Sequence, residues 1–139
     1  MKPKSYRRKP PKPKPAAPDP LAARVVQQVL LELPELLAVA VVDVASGTSL
    51  AAHSTATINP NTAASFNAEV VRQKQKAMAA LELTDERIDD ILITLSSQLH
   101  LLQLTPDSSR FIYLVVSAQY TNLGIAREVL RAQVSQLEA

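Results

Sequence analysis

The residues of this chain whose chemistry is easiest to name are two arginines that fall between predicted elements, Arg87 and Arg110. A guanidinium placed against a γ-phosphate neutralises the charge that develops during phosphoryl transfer; the plainer reading of both is surface charge. His53 and His100 could share a metal or an acid/base role if the fold brought them together. Asp85, Glu86, Asp89 and Asp90 offer carboxylates to a hard cation, but without the alternating ligands and central glycine of a calcium loop they read as a solvated turn. Serine, histidine and aspartate all occur, yet nothing sets a nucleophile in a strained elbow beside a base. Gly47 and Gly124 are the only glycines, so a glycine-rich phosphate loop cannot be built. No catalytic residue, cofactor or metal ligand set is expected, and the chain does not read as an enzyme.

The elements that would hold these groups must come from one core. A chain of 139 residues, 47% apolar, has the size of one ordinary domain. The absence of cysteine removes disulfides, thiolate nucleophiles and thiolate metal sites together, which points to the cytoplasm. No run approaches the ~18 apolar residues of a spanning helix, and the basic N-terminus has no apolar segment behind it, so a soluble, unsecreted protein is expected. The net charge of +2 hides an asymmetry: residues 1–19 carry seven basic side chains against Asp19 alone, and the remainder carries eight basic against twelve acidic. Arguments from high pI therefore concern the tail only.

Residues 1–18 hold six prolines and only Tyr6 as a large apolar anchor, which predicts a disordered basic arm rich in polyproline II. Its Arg7, Arg8, Lys9, Lys12 and Lys14 could touch a polyanion, an acidic protein or an anionic surface; with one aromatic, any nucleic-acid binding would be unspecific and salt-sensitive. The spacing Pro10-x-x-Pro13 also permits a groove-binding ligand, beside the plainer reading of a solubilising tether. The folded domain is expected over 19–139, opening at Asp19-Pro20, where aspartate can cap and proline takes the first helical position. Leu21, Val25, Val29, Leu30 and Leu33 then recur at helical spacing up to Pro34.

Leu36–Val44 reads as a buried strand, Ala45–Thr48 as a turn and Ser49–Ala56 as a second strand. Asn59-Pro60-Asn61 breaks the pattern before a long helix, Thr62–Leu83, with Ala63, Phe66, Val70, Ala77, Met78 and Leu81 on one side. Glu69, Arg72, Gln73 and Lys76 follow the spacing of one polar stripe, solvated or facing a partner. Three strands follow, Ile91–Ser96, Leu99–Leu104 and Phe111–Val116, the last two joined by a proline-initiated turn at Pro106. Both alternations of Phe111–Val116 are apolar, so helices must cover both faces of the sheet. Asn122, or Thr121 before it, can cap the last helix; Gly124 is expected to let its first turn approach the sheet, and Leu123, Ala126, Leu130, Val134 and Leu137 form its buried stripe.

The order α-β-β-α-β-β-β-α, together with Leu37–Asp43 leading to Gly47 and Tyr113–Val116 leading to Asn122-Leu123-Gly124 and Arg127, resembles the roadblock family of dynein light-chain type over about Leu21 to Glu138. The resemblance implies an α+β fold, profilin-like or longin-like: a five-stranded antiparallel sheet with the central helix on one face and both terminal helices on the other. It also implies a homodimer through the third strand and the central helix, here Phe66, Val70, Ala77, Ile91, Ile93 and Leu95; an apolar edge strand invites such pairing on physical grounds too. In the family's strand order His53 and His100 are not neighbours. Ser97-Gln98 stands where family members often carry glycine, which puts the tightness of that turn in question.

MglB-like members of the family regulate bacterial Ras-like small GTPases, as activators that need no arginine finger, and their paired central helices contribute to the GTPase-facing surface. Here that surface would carry Glu69, Arg72, Gln73 and Lys76. The expected function is a homodimeric regulatory module acting on the nucleotide cycle or location of a Ras-like GTPase. Two alternatives stay open: a dimeric scaffold in a larger assembly with the tail as tether, and a polyanion binder driven by the tail.

Overall fold

A computed structural model describes residues 19–55 and 57–137, so the proline-rich segment lies outside the described residues. The chain folds in the order α1 (Pro20–Glu32), β1 (Ala38–Asp43), β2 (Ser49–Ser54), α2 (Pro60–Ala80), β3 (Asp90–Thr94), β4 (Gln98–Leu104), β5 (Arg110–Ser117) and α3 (Leu123–Gln136). The strands form one antiparallel sheet in the order β2-β1-β5-β4-β3. β1 and β5 lie inside it, which is why both alternations of each are apolar: Val39, Val41, Ile112, Leu114 and Val116 pack under α1 and α3, and Ala38, Ala40, Val42, Phe111, Tyr113 and Val115 pack on the α2 side.

The helix ends show how the local sequence makes them. Asp19 Oδ1 accepts the Ala22 N–H at 3.0 Å, satisfying one of the orphan donors that begin α1, and the Leu33 N–H closes onto Val29 O before Pro34 forbids continuation. Asn122 Oδ1 does the same for Ile125 N–H at 3.1 Å. α2 starts at Pro60, two residues ahead of expectation. Asn59-Pro60 is a cap followed by an N1 proline rather than a break, and Asn59 Oδ1 accepts from Asn61 N–H and Thr62 N–H. The β3–β4 turn, where the family often has glycine, closes with Leu95 N–H on Gln98 O at 2.8 Å; none of its residues takes positive φ, so Ser97 and Gln98 build it without strain. In the β4–β5 turn the Asp107 carboxylate accepts from Ser109 N–H and from the hydroxyls of Ser109 and Thr105, which hold its pKa at about 2.

α2 corrects one sequence expectation. The side it lays on β1 and β2 consists of Ala64, Ala68 and Val71, small residues that bring the helix close, whereas Phe66, Val70, Ala77 and Leu81 point to solvent. Gly124 corrects another. It is exposed, and a Cβ built on it would meet only Asn122 Oδ1, at 3.3 Å, so it mediates no approach to the sheet.

Gly47 is the demanding glycine: its φ is +70°, its N–H donates to Asp43 O at 2.8 Å, and an added Cβ would lie 3.4 Å from the Ser65 Cα of α2. Gly47→Ala is expected to cost about 1–2 kcal/mol from the left-handed backbone and the crowded helix. Gly124→Ala should stay within about 0.5 kcal/mol of the parent, since helix propensity offsets the pressed cap. Paired urea denaturations check both; equal losses would refute the distinction.

Candidate partner interface

β3 is an outer strand, hydrogen-bonded to β4 alone, so one row of its backbone N–H and C=O groups is unpaired within the chain. Period two divides its side chains: Leu92 sits opposite Leu101 and packs with the α1–α3 layer, while Ile91 sits opposite Leu102 and Ile93 opposite His100 on the α2 side. Ile91 and Ile93 are half-buried and Leu95, just past the strand, is exposed.

α2 lies over β1 and β2 rather than over this edge. Its outward stripe is therefore left uncovered by the rest of the described chain. Phe66 is 67% exposed, Val70 40% and Leu81 65%; with Ala77 they recur at helical spacing directly opposite the buried alanines. Large apolar groups aligned this way beside an unpaired strand mark an interaction surface.

A polar network joins β4 and β5 on the α2 side of the sheet. The Tyr113 hydroxyl lies 2.8 Å from His100 Nδ1, and His100 Nε2 lies 2.9 Å from Gln98 Oε1. Since the Gln98 oxygen only accepts, Nε2 donates to it, and in the neutral imidazole Nδ1 accepts from the tyrosine. Partial burial agrees with that state by pushing the His100 pKa down. Burial also raises the Tyr113 pKa, against a hydrogen bond from the Asn67 side chain on α2. Gln98 and His100 are two apart on one strand, a spacing visible in the sequence; Tyr113 enters only through the β4–β5 register.

The polar stripe of α2 flanks the apolar one on the side away from β3. Glu69, Gln73 and Lys76 are exposed, while Arg72 turns inward and its Nη1 donates to Val44 O at 2.6 Å, tying α2 to the end of β1. Neither arginine stands free as a finger, and Arg110, expected between elements, is the first residue of β5. Arg110 Nη2 donates to Leu137 O at the end of α3, where the helix dipole favours a cation, and Arg87 pairs with Asp89 and reaches Pro106 O. Asp90 is held by Arg127, whose Nε is 3.2 Å from Oδ2 though not aimed at it, and whose Nη2 donates to Oδ1 at 3.3 Å. Among the described residues no group of three or more His, Cys, Asp or Glu is arranged to hold a metal ion. His53 on β2 and His100 on β4 are separated by β1 and β5. No helix among the described residues is long and apolar enough to cross a membrane.

The chain has the roadblock fold, in its MglB-like form. It superposes on MglB in a tetrameric arrangement with a TM-score of 0.72 at 17% identity, over 91% of this chain and 93% of that one. The gliding protein MglB from Thermus thermophilus matches at TM-score 0.70 and 16% identity, over 91% and 94% of the two chains. The Roadblock/LC7 domain from Streptomyces avermitilis matches at 0.70 and 10%, over 84% and 93%. Comparison with protein-family models and with curated protein sequences gave no match.

Proposed function

We propose that the chain is a homodimeric roadblock-type regulator that binds a bacterial Ras-like GTPase and alters its nucleotide cycle or its location. The observation that carries this reading is the outward apolar stripe of α2 lying beside the unpaired β3 in an MglB-like fold. Pairing β3 with β3 of a second copy continues the sheet through the interface, buries Ile93 and Leu95, and lays Val70 and Leu81 of the two α2 helices together. Glu69, Gln73 and Lys76, on the other flank of α2, then form the surface offered to the GTPase. Arg72, engaged with Val44 O, acts there by holding the helix in place. Activation in this reading proceeds by repositioning the GTPase's own residues, as the resemblance to MglB-like activators implies; Arg110 is engaged by Leu137 O, and Arg87 reaches Pro106 O at 3.4 Å.

The same engaged arginines favour a second reading, a dimeric scaffold that leaves nucleotide hydrolysis untouched. Purified Ras-like GTPases of the source organism, loaded with a GTP analogue or with GDP, separate the two. Capture by this protein preferentially in the GTP-analogue state, weakened by Lys76→Glu, together with GTP turnover raised ~10-fold (about 1.4 kcal/mol off the barrier), is the expected result. Capture with unchanged turnover selects the scaffold. Failure to bind any of these GTPases in either state refutes the regulator.

A further inference from the structure

At the end of the molecule where α1 stops, a groove of about 310 Å³ opens between the α1–β1 turn and the β5–α3 loop. It is lined by Leu33, Pro34, Tyr120 and Ile125, with Glu32 and Glu35 along it and no basic side chain. Two of the most exposed large apolar residues of the folded part belong to it or adjoin it: Tyr120 at 75%, on its wall, and Leu31 at 74%, in the last turn of α1. The dimer and GTPase surfaces proposed above use α2 and β3, so this groove is spare in that reading.

An exposed tyrosine and a proline beside paired carboxylates have the chemistry that receives a basic proline-rich strand: the ring packs on proline faces and the acids orient the cations. The chain carries such a strand itself. Lys9-Pro10-Pro11-Lys12-Pro13 repeats lysine and proline every three residues, the period at which a polyproline II ligand would present Pro10 and Pro13 on one edge and Lys9 and Lys12 on the next. Residues 1–19 carry a net +6 while the rest of the chain carries −4. Length permits the return. α1 has 13 residues, about 20 Å from Asp19 to the groove; the chain from Asp19 back to Pro13 reaches ~20 Å and back to Pro10 ~30 Å.

We infer that the groove is the docking site of the chain's own N-terminal segment, with Pro10 and Pro13 against Tyr120 and Pro34, and with Lys9 and Lys12 against Glu32 and Glu35. Docking of this kind is electrostatic at its rim, so it weakens with salt. It also makes the tail's cations unavailable to an outside polyanion while they are seated, which turns the tail into a segment that competes between two anionic surfaces.

The sequence contains no cysteine, so Ser5→Cys places a single nitroxide label on the full chain without background. Amide signals of Glu35, Leu36, Tyr120 and Ile125 are expected to lose intensity severalfold and to recover when the nitroxide is reduced. Glu32→Lys with Glu35→Lys, both at exposed positions, should restore them with the rest of the spectrum in place. Unaffected groove amides, an equal loss in the charge-reversed protein, or an undiminished loss when the nitroxide and the isotope label are on separate chains would each overturn the assignment.

Discussion

Phe66→Asp combined with Val70→Asp is expected to leave a folded monomer of 15.1 kDa, and the parent, as the proposed dimer, is expected to sediment at twice that mass. Phe66 is 67% and Val70 40% exposed in the single chain and neither belongs to a core cluster, so the substitutions remove little packing of the protomer and should leave its circular dichroism unchanged. Their cost falls on association. A two-fold interface presents every residue twice, so two substitutions bring four carboxylates into one desolvated seam. Burying unpaired like charges costs several kcal/mol, and ~4 kcal/mol is about 10³ in dissociation constant. Sedimentation velocity across micromolar concentrations reads the result directly. A parent that is monomeric throughout removes the interface; a variant that stays dimeric moves it off α2, with the opposite sheet edge at β2 as the next surface to test.

The same face shows where sequence reasoning stopped. Period-3.6 patterning found α1 and α3 because each has a single apolar stripe and a local cap, Asp19 and Asn122. Period-two patterning placed β5 inside the sheet because both of its alternations are apolar. α2 has two apolar faces, and hydrophobicity alone cannot say which meets the sheet. The answer lay in size: Ala64, Ala68 and Val71 fit the close approach to β1 and β2, and the larger Phe66 and Leu81 do not. Asn59-Pro60 misled because one dipeptide both ends an extended segment and begins a helix. Gly124 misled because rarity was taken as necessity. The tether of Arg72 to Val44 and the contact of Tyr113 with His100 join residues distant in sequence that no local pattern encodes.

Another such contact fixes the edge strand. Asp90, the first residue of β3, is only 15% exposed at its side chain and faces Arg127 of α3, 37 positions away. Arg131 adds a weaker approach at 4.0 Å. With Asp90→Ala, the Arg127 guanidinium keeps its position between β3 and α3 but loses both carboxylate contacts, and its buried Nε has nothing in place of the anion. A fully buried pair broken this way costs ~3–5 kcal/mol; Arg127 retains some solvent, which reduces the expected loss to about 2–3 kcal/mol, or roughly 10 °C in melting temperature for a domain of this size. The loss is local before it is global. Freed at its start, β3 should show faster amide exchange from Ile91 to Ile93 than β5 does, and a proposed partner strand would meet a less ordered edge. Combining Asp90→Ala with Arg127→Met tests the coupling: the double variant is expected to recover much of the stability that Asp90→Ala loses, because the stranded cation is gone. Additive losses, or a melting temperature for Asp90→Ala close to the parent's, would show that packing of Leu92 against the α1–α3 layer, and not the ion pair, holds the edge in place.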